Sequence, residues 1–242
     1  MMLERLKILI LVLAMGQFLA LSNANAKGEY TANECFEDVS RATLKFNMGL
    51  DRVLFKPIAK GYRSLPVPLR VGTSNAIENL RSLLSLSNNL LQGNWDGAGN
   101  TAARFTINST VGVLGFFDPA DKIGFKKNSR EDFGQTLAVW GVSDGPYIVL
   151  PILGPSSLRD TLARIPEAFM TPLLLIDHDR TGYELTAIDL LDKRARYLGL
   201  ESIVVGDEYL FYRDAYFQSR EFDINDGVIE DDFDDFDFDF ED

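Results

Sequence analysis

Apolar residues recur along most of this chain at helical rather than strand spacing. From Val39, the residues Leu44, Met48 and Val53 fall near one face, broadened by Phe46 and Leu50. Pro57 is expected to end that helix, because a residue before proline disfavours helical backbone, and a short second helix then begins with Pro57 as its first residue. Pro66 and Pro68 read as an extended turn. Ser74 or Asn75 caps a third helix, with Ile77, Leu80, Leu84 and Leu91 on its stripe and Gly93 at its end. Asp96 opens a fourth, carrying Ala98, Ala102 and Phe105. An apolar, glycine-rich stretch covers 111–117 and is punctuated by Asp118-Pro119. Ser129 with Asp132 reads as a capping box for a helix to Trp140. Gly141, Gly145 and Pro146 bracket a loop, and Tyr147-Ile148-Val149-Leu150 is the best strand, one arm of a small hairpin. Ser156 or Ser157 caps a further helix. Residues 181–200 carry Leu185, Ile188, Leu191 (or Asp192), Ala195 and Leu198 as a stripe, and a last helix covers 207–219. The pattern predicts a mainly α, single helical domain.

The N-terminus is of another kind. Arg5 and Lys7 precede an apolar run from Ile8 to Leu21, followed by Ala24-Asn25-Ala26. This is the order of a secretory signal peptide over residues 1–26, and the run is short for a membrane span. The domain organisation expected is a signal peptide at 1–26, a flexible segment at 27–37, the helical domain at 38–220 and an acidic tail at 221–242.

Charge changes the picture only once it is located. The formal net charge is -12, yet residues 221–242 hold 12 acidic and no basic side chains, so the rest of the chain is balanced. That balance argues against a nucleic-acid partner. The tail, rich in Asp and Phe, reads as disordered and solvated, or as a segment that orders on a partner or a cation. Cys35 and His178 are the single Cys and single His, which excludes an internal disulfide, multi-Cys or multi-His metal sites and any histidine triad without His178. His178 lies between Asp177 and Asp179 in what reads as an exposed loop. Gly154-Pro155-Ser156-Ser157-Leu158 misses the nucleophile-elbow pattern, and Glu221 to Gly227 misses the EF-hand spacing. No catalytic residue, metal site or cofactor is expected.

Two polar features stand out instead. Arg52, Lys56, Lys60 and Arg63 would form a basic row on one continuous helix, either solvated or facing headgroups, and Pro57 is expected to divide it. Asn47, Asn75, Asn79, Asn88, Asn89 and Asn108 sit within or beside apolar helical segments, and Arg159-Asp160 follows a Pro-Ser-Ser turn. Buried polar groups must be paired or face water, so these imply a hydrogen-bond network or a wet passage.

Between about 38 and 220 runs an ordered series of short motifs. They include Phe46-Asn47 with Leu50-Asp51-Arg52, Lys56-Pro57-Ile58-Ala59 with Gly61-Tyr62-Arg63, and Pro66-Val67-Pro68-Leu69-Arg70. Asn89-Leu90-Leu91-Gln92-Gly93, Gly115-Phe116-Phe117-Asp118, Asp132-Phe133-Gly134-Gln135-Thr136-Leu137 and Trp140-Gly141-Val142 follow in order. Gly154-Pro155-Ser156 with Arg159-Asp160, and Arg213 with Ala215-Tyr216-Phe217-Gln218, close the series. In this order the motifs resemble the MlaA/VacJ family of Gram-negative outer-membrane proteins, and the resemblance implies a ring-like helical domain with amphipathic helices at the membrane interface, pierced by a polar channel. It implies removal of mislocalised phospholipids from the outer leaflet of the outer membrane. It further implies hand-over to a periplasmic phospholipid carrier protein and association with an outer-membrane porin trimer, without covalent chemistry. Asn47, Arg52, Arg63, Asn108, Arg159 and Asp160 are the expected channel or headgroup-facing residues, and the loop Gly141-Val142-Ser143-Asp144-Gly145 matches the family hairpin beside the channel.

One departure bears on location. Cys35 follows Ala32-Asn33-Glu34, which is not a lipobox, so no lipid anchor is expected and residence on the periplasmic face of the outer membrane would rest on apolar surface and a partner. The competing readings are a soluble periplasmic scaffold of the same fold and a phospholipid hydrolase using His178 or a carboxylate pair.

Overall fold

The computed structural model describes residues 37–170, 179–199 and 204–228. The expected signal peptide, Cys35, His178 and the acidic stretch from 229 onward lie outside them.

Helix α1, Glu37–Leu50, runs through a π-turn at Asp51–Phe55 into α2, Lys56–Arg63. The expected break at Pro57 is absent. The Lys56 N–H reaches back to the Asp51 carbonyl, and Pro57, with no N–H to donate, sits in the first turn of α2. A wide turn there costs the proline nothing it would otherwise have lost. Pro66 and Pro68 do not form an extended turn either. Pro66 alone is extended, as the N-cap of the 26-residue α3, Val67–Gln92, and Pro68 lies in its first turn. The helix thus starts well before Ser74 and Asn75. It ends, as expected, on Gly93, left-handed at φ 78°.

Helix α4, Trp95–Thr110, is capped by Asn94, whose side chain accepts from the Gly97 N–H at 2.8 Å, rather than opened by Asp96. After a run of turns and the short α5, Pro119–Lys122, comes α6, Phe133–Val139. Its cap is Asp132, accepting from the Gln135 N–H at 2.9 Å, not Ser129. Strands β1, Tyr147–Leu150, and β2, Gly154–Ser157, pair antiparallel with Tyr147 opposite Ser157, which bears out the hairpin. Ser157 closes the hairpin and caps α7, Leu158–Met170, its Oγ accepting from the Asp160 N–H at 3.1 Å. Helices α8, Asp179–Arg196, and α9, Glu208–Ile224, complete the domain. Residues 221–224 are therefore helical and not part of a loose tail.

The elements close on themselves. The α1–α2 run packs on α8, α8 on α3, α3 on α6, α6 on α7, α7 on β2, β2 on β1, and β1 back on α1. Helix α4 lies along α3, and α9 braces α6 and β2. This circuit is the mainly α, ring-like domain expected.

Its polarity is inverted. The compact apolar cluster is small, built on Leu44, Tyr147, Val149 and Tyr209, with Met48, Tyr216 and Phe217 against it. Among the described residues, 16 polar or charged side chains are buried against 13 hydrophobic ones. The largest fully buried side chains are Gln135, Asn88, Asn89 and Thr136. Meanwhile Phe46 and Val53, expected inside, are exposed, as are Leu69, Val71, Val113, Leu114, Trp140 and Phe169. On α8 the buried positions are Asp189, Asp192 and Ala195, while Leu190 is exposed, so its polar face points in. A domain folding only in water buries its apolar face; this one turns much of it outward.

Candidate functional site

Polar positions on three helices converge on one half-open cavity of about 270 Å³. On α3, Asn75, Glu78, Asn79, Ser82 and Ser85 follow one another at helical spacing and line one wall. Thr101, Arg104 and Asn108 of α4 form a second wall, and Lys193 and Arg196 of α8 a third, with Lys127 and Arg130 at the rim. The lining holds six cationic side chains, Arg81, Arg104, Lys127, Arg130, Lys193 and Arg196, and two carboxylates, Glu78 and Asp118.

Neighbouring acids offset part of that charge. Asp189 lies 3.0 Å from both Arg81 and Lys193, and Asp192 lies 2.5 Å from Arg196. Asn108 is anchored from both ends: its amide donates to Asp118 at 2.9 Å, and its carbonyl accepts from the Ala120 N–H at 3.1 Å. Asp118 also takes Arg104 at 2.7 Å. Burial pushes the Asp118 carboxyl up, but Asn108 and Arg104 outweigh it and hold it below the usual carboxylate range. Burial pulls the Arg81 guanidinium down against Asp189, with Arg130 adding to the pull. Burial lowers Lys193 as well, and Arg130 adds to it.

A second cavity of about 150 Å³ lies between α6, β2, α7 and α9, lined by Asp132, Ser156, Asp160, Arg164, Glu167, Tyr216 and Arg220 among others. Arg159 and Asp160, both buried, are bonded at 2.9 Å. The Arg220 Nε also reaches Asp160, at 2.6 Å, and the Tyr216 hydroxyl donates to it at 2.5 Å. Burial raises the Asp160 carboxyl, but Arg220, Tyr216 and Arg159 together bring it below its ordinary value. Glu167 goes the other way: burial, with Asp132 beside it, pushes it up to about 7 against Arg164 and Arg220.

The residues expected at a channel divide. Asn108 lines the first cavity and Asp160 the second. Asn47 instead pins the hairpin turn, donating to the Leu150 carbonyl and accepting from the Ile152 N–H, each at 2.8 Å. The helix beneath the basic row is continuous after all, yet Arg52, Lys56, Lys60 and Arg63 line neither cavity; Arg52, Lys60 and Arg63 are exposed, and Arg63 reaches the Leu198 carbonyl at 3.4 Å. The loop Gly141, Val142, Ser143, Asp144, Gly145 is clamped to the base of α7. Arg159 donates its Nη1 to the Val142 carbonyl at 3.2 Å and pairs with Asp144 at 2.6 Å, while its backbone N–H donates to the Asp144 carbonyl at 3.0 Å. Gly141 and Gly145 hold left-handed angles, φ 88° and 67°, that only glycine adopts without strain.

The cationic lining was missed from the sequence. Arg81, Arg130 and the pair Lys193 and Arg196 come from three distant segments and form no local motif. The one usable signal was on α8, where Asp189, Asp192, Lys193 and Arg196 share a flank that an apolar-inside reading assigns to solvent.

Among the described residues, no helix is long and apolar enough to cross a membrane, and no group of acidic, Cys or His side chains could hold a metal ion.

The chain is similar to proteins of known family. A family model described as MlaA lipoprotein matches residues 32–223. The intermembrane phospholipid transport system lipoprotein MlaA of Haemophilus influenzae is 31% identical over 214 residues, covering 86% of each chain. The Escherichia coli K12 protein of the same name is 29% identical over 231 residues, covering 93% of this chain and 92% of that one. A chain solved in work on the structural basis for maintenance of bacterial outer membrane lipid asymmetry superposes with a TM-score of 0.72 at 28% identity, covering 78% of this chain and 98% of that one. With the family model spanning the whole helical circuit and its polar interior, the chain belongs to the MlaA lipoprotein family.

Proposed function

We propose that this protein moves phospholipid at the outer membrane, taking mislocalised molecules from the outer leaflet and passing them to a periplasmic phospholipid carrier, so that lipid asymmetry is kept. The observation that carries this reading is the inverted polarity of the ring. Apolar side chains such as Val53 and Leu114 face outward, where acyl chains would cover them, and charged side chains face a cavity that can take a headgroup. The named relatives from Haemophilus influenzae and Escherichia coli point the same way.

No covalent step is part of the role. Export follows from the signal peptide at 1–26, and the working place is the periplasmic face of the outer membrane. The relatives are named lipoproteins, but Ala32-Asn33-Glu34 does not present Cys35 for acylation. Residence then rests on the exposed apolar belt and on a porin trimer beside it. Within the ring, Asn108 and Asp160 face the lipid path, Arg52 and Arg63 sit at headgroup level outside it, and the 141–145 loop, held by Arg159, acts as its gate.

The test is surface-exposed phospholipid in living cells, read with a label that does not cross the outer membrane. Deletion of the gene raises the signal and the intact gene restores it. An unchanged signal, with all the protein in the soluble periplasmic fraction, would reject the reading in favour of a soluble scaffold.

A further inference from the structure

We infer that the larger cavity is a phosphate station that selects phospholipids carrying net negative charge over zwitterionic ones. The inference rests on the transport reading and names its substrate class. Among the described residues, the six cations of the lining are met by Glu78, Asp118, Asp189 and Asp192, with Glu167 also acting on Arg81, so positive charge stays in excess there. A single carboxylate, Asp189, serves both Arg81 and Lys193. Arg130 lies 4.0 Å from its acidic neighbour Glu78, beyond a direct hydrogen bond.

These cations also act on one another. Arg130 opposes the charge of both Arg81 and Lys193, and Arg81 opposes Lys193 in turn. Three like charges share one half-open cavity, Arg81 mostly covered and Arg130 and Lys193 partly in solvent, so their repulsion is only partly screened. An anion placed between them relieves that repulsion. Arginine forks match phosphate oxygens, so a phosphodiester is the fitting ligand.

Arithmetic then separates the headgroups. The phosphate of phosphatidylethanolamine arrives with its own ammonium and leaves the excess unchanged. Phosphatidylglycerol brings one uncompensated negative charge and cardiolipin two. The excess of the lining therefore favours the anionic class.

The experiment purifies the full chain in mild detergent and compares its bound phospholipids with those of the membrane it came from. Phosphatidylglycerol is expected to be enriched about fivefold over phosphatidylethanolamine, the factor that corresponds to one partly screened charge pair. Arg130→Gln and Lys193→Gln bring the ratio back to that of the membrane. Arg130→Lys keeps the enrichment, and circular dichroism confirms that each variant is folded. Bound lipid that mirrors the membrane in the unmodified protein overturns the selectivity and leaves the transport reading standing. A protein that retains no phospholipid overturns both. Release of phosphatidylglycerol by millimolar inorganic phosphate, but not by chloride at equal ionic strength, identifies the phosphate as the group held; loss with either salt makes the attraction unspecific and overturns the station.

Discussion

Arg220 on the last helix grips Asp132, the N-cap of α6, through both nitrogens: Nη1 lies 2.7 Å from Oδ2 and Nη2 2.6 Å from Oδ1. The same guanidinium reaches Asp160 on α7 through Nε. The bracing helix α9 thus ties α6 to α7 through one cation; burial works against its charge, but the two carboxylates outweigh that and hold its proton more tightly than usual. Removing Arg220 leaves Asp132 without its fork and takes from Asp160 the strongest of the groups that hold its charge. Arg220→Leu is expected to cost about 3 kcal/mol, the lower end for breaking a buried ion pair. Arg220→Lys keeps the charge without the fork and loses less. Urea unfolding of the three proteins measures this; a loss under about 1 kcal/mol for the leucine variant would mean that solvent already carries the charge of Asp160.

Glu167 makes stability depend on pH in the opposite sense to an ordinary ion-paired carboxylate. Its folded pKa of about 7 lies above the ordinary value of 4.5, because burial and Asp132 outweigh Arg164, Arg220 and Arg81. The folded state therefore binds the proton more tightly than the unfolded chain does. The gain is complete below pH 4.5 and is lost as pH rises through 7. Glu167→Gln imitates the protonated form. It should raise Tm at pH 8, by the equivalent of up to about 3 kcal/mol, and change little at pH 4. An equal change at both pH values would assign the effect to packing and not to the proton.

The parts that were readable from sequence are those where local chemistry decides. Gly93 suits a helix end because glycine takes φ 78° without strain, and of the two capping candidates, Ser156 and Ser157, it is Ser157 whose hydroxyl meets the otherwise orphaned N–H. Tyr147 to Leu150, aromatic and β-branched residues after a Gly-Pro turn, carried enough strand signal to give the hairpin. What failed was the choice of which face turns inward. Phe46 and Val53 were assigned to a core, as apolar residues normally are, and the ring exposes them because its outside is apolar. The prolines misled for a related reason. Proline breaks a helix only where an N–H is required, and neither the π-turn before Pro57 nor the first turn holding Pro68 requires one. Asn108 and Asp160, polar residues beside apolar segments, line cavities, whereas Asn47 pins the hairpin turn.

Arg159 controls the 141–145 loop through contacts that glycine substitution would not touch. It supplies a side-chain bond to Val142 and an ion pair to Asp144, and its backbone N–H holds the Asp144 carbonyl. Arg159→Gln removes the ion pair and keeps the backbone bond. Faster amide exchange is expected within 141–145, by roughly tenfold for each 1.4 kcal/mol of opening energy lost, with exchange in α3 unchanged. Uniform acceleration across the domain would show instead that Arg159 supports the whole fold. If the loop is the gate proposed, the same variant also shifts the surface phospholipid signal, and Gly145→Ala, forced into φ 67° with Leu158 3.2 Å from the new methyl, shifts it too.

Membrane residence gives the sharpest separation between fold and location, because the residues concerned support nothing inside. Val53 is 78% and Leu114 77% exposed, so polar substitution there removes almost no packing. Each side chain, if it enters acyl chains, contributes about 1.5–3 kcal/mol to association. Val53→Ser with Leu114→Ser should therefore lower binding to phospholipid vesicles at least tenfold while leaving the urea midpoint unchanged. Measuring both on the same preparation matters. Lost binding with unchanged stability identifies these positions as the membrane-facing surface. Unchanged binding would place that surface elsewhere on the ring, for example at Leu69, Val71 and Phe169. Lost stability would show that the positions are covered in solution, which is what a soluble scaffold with a second protein over its apolar belt requires.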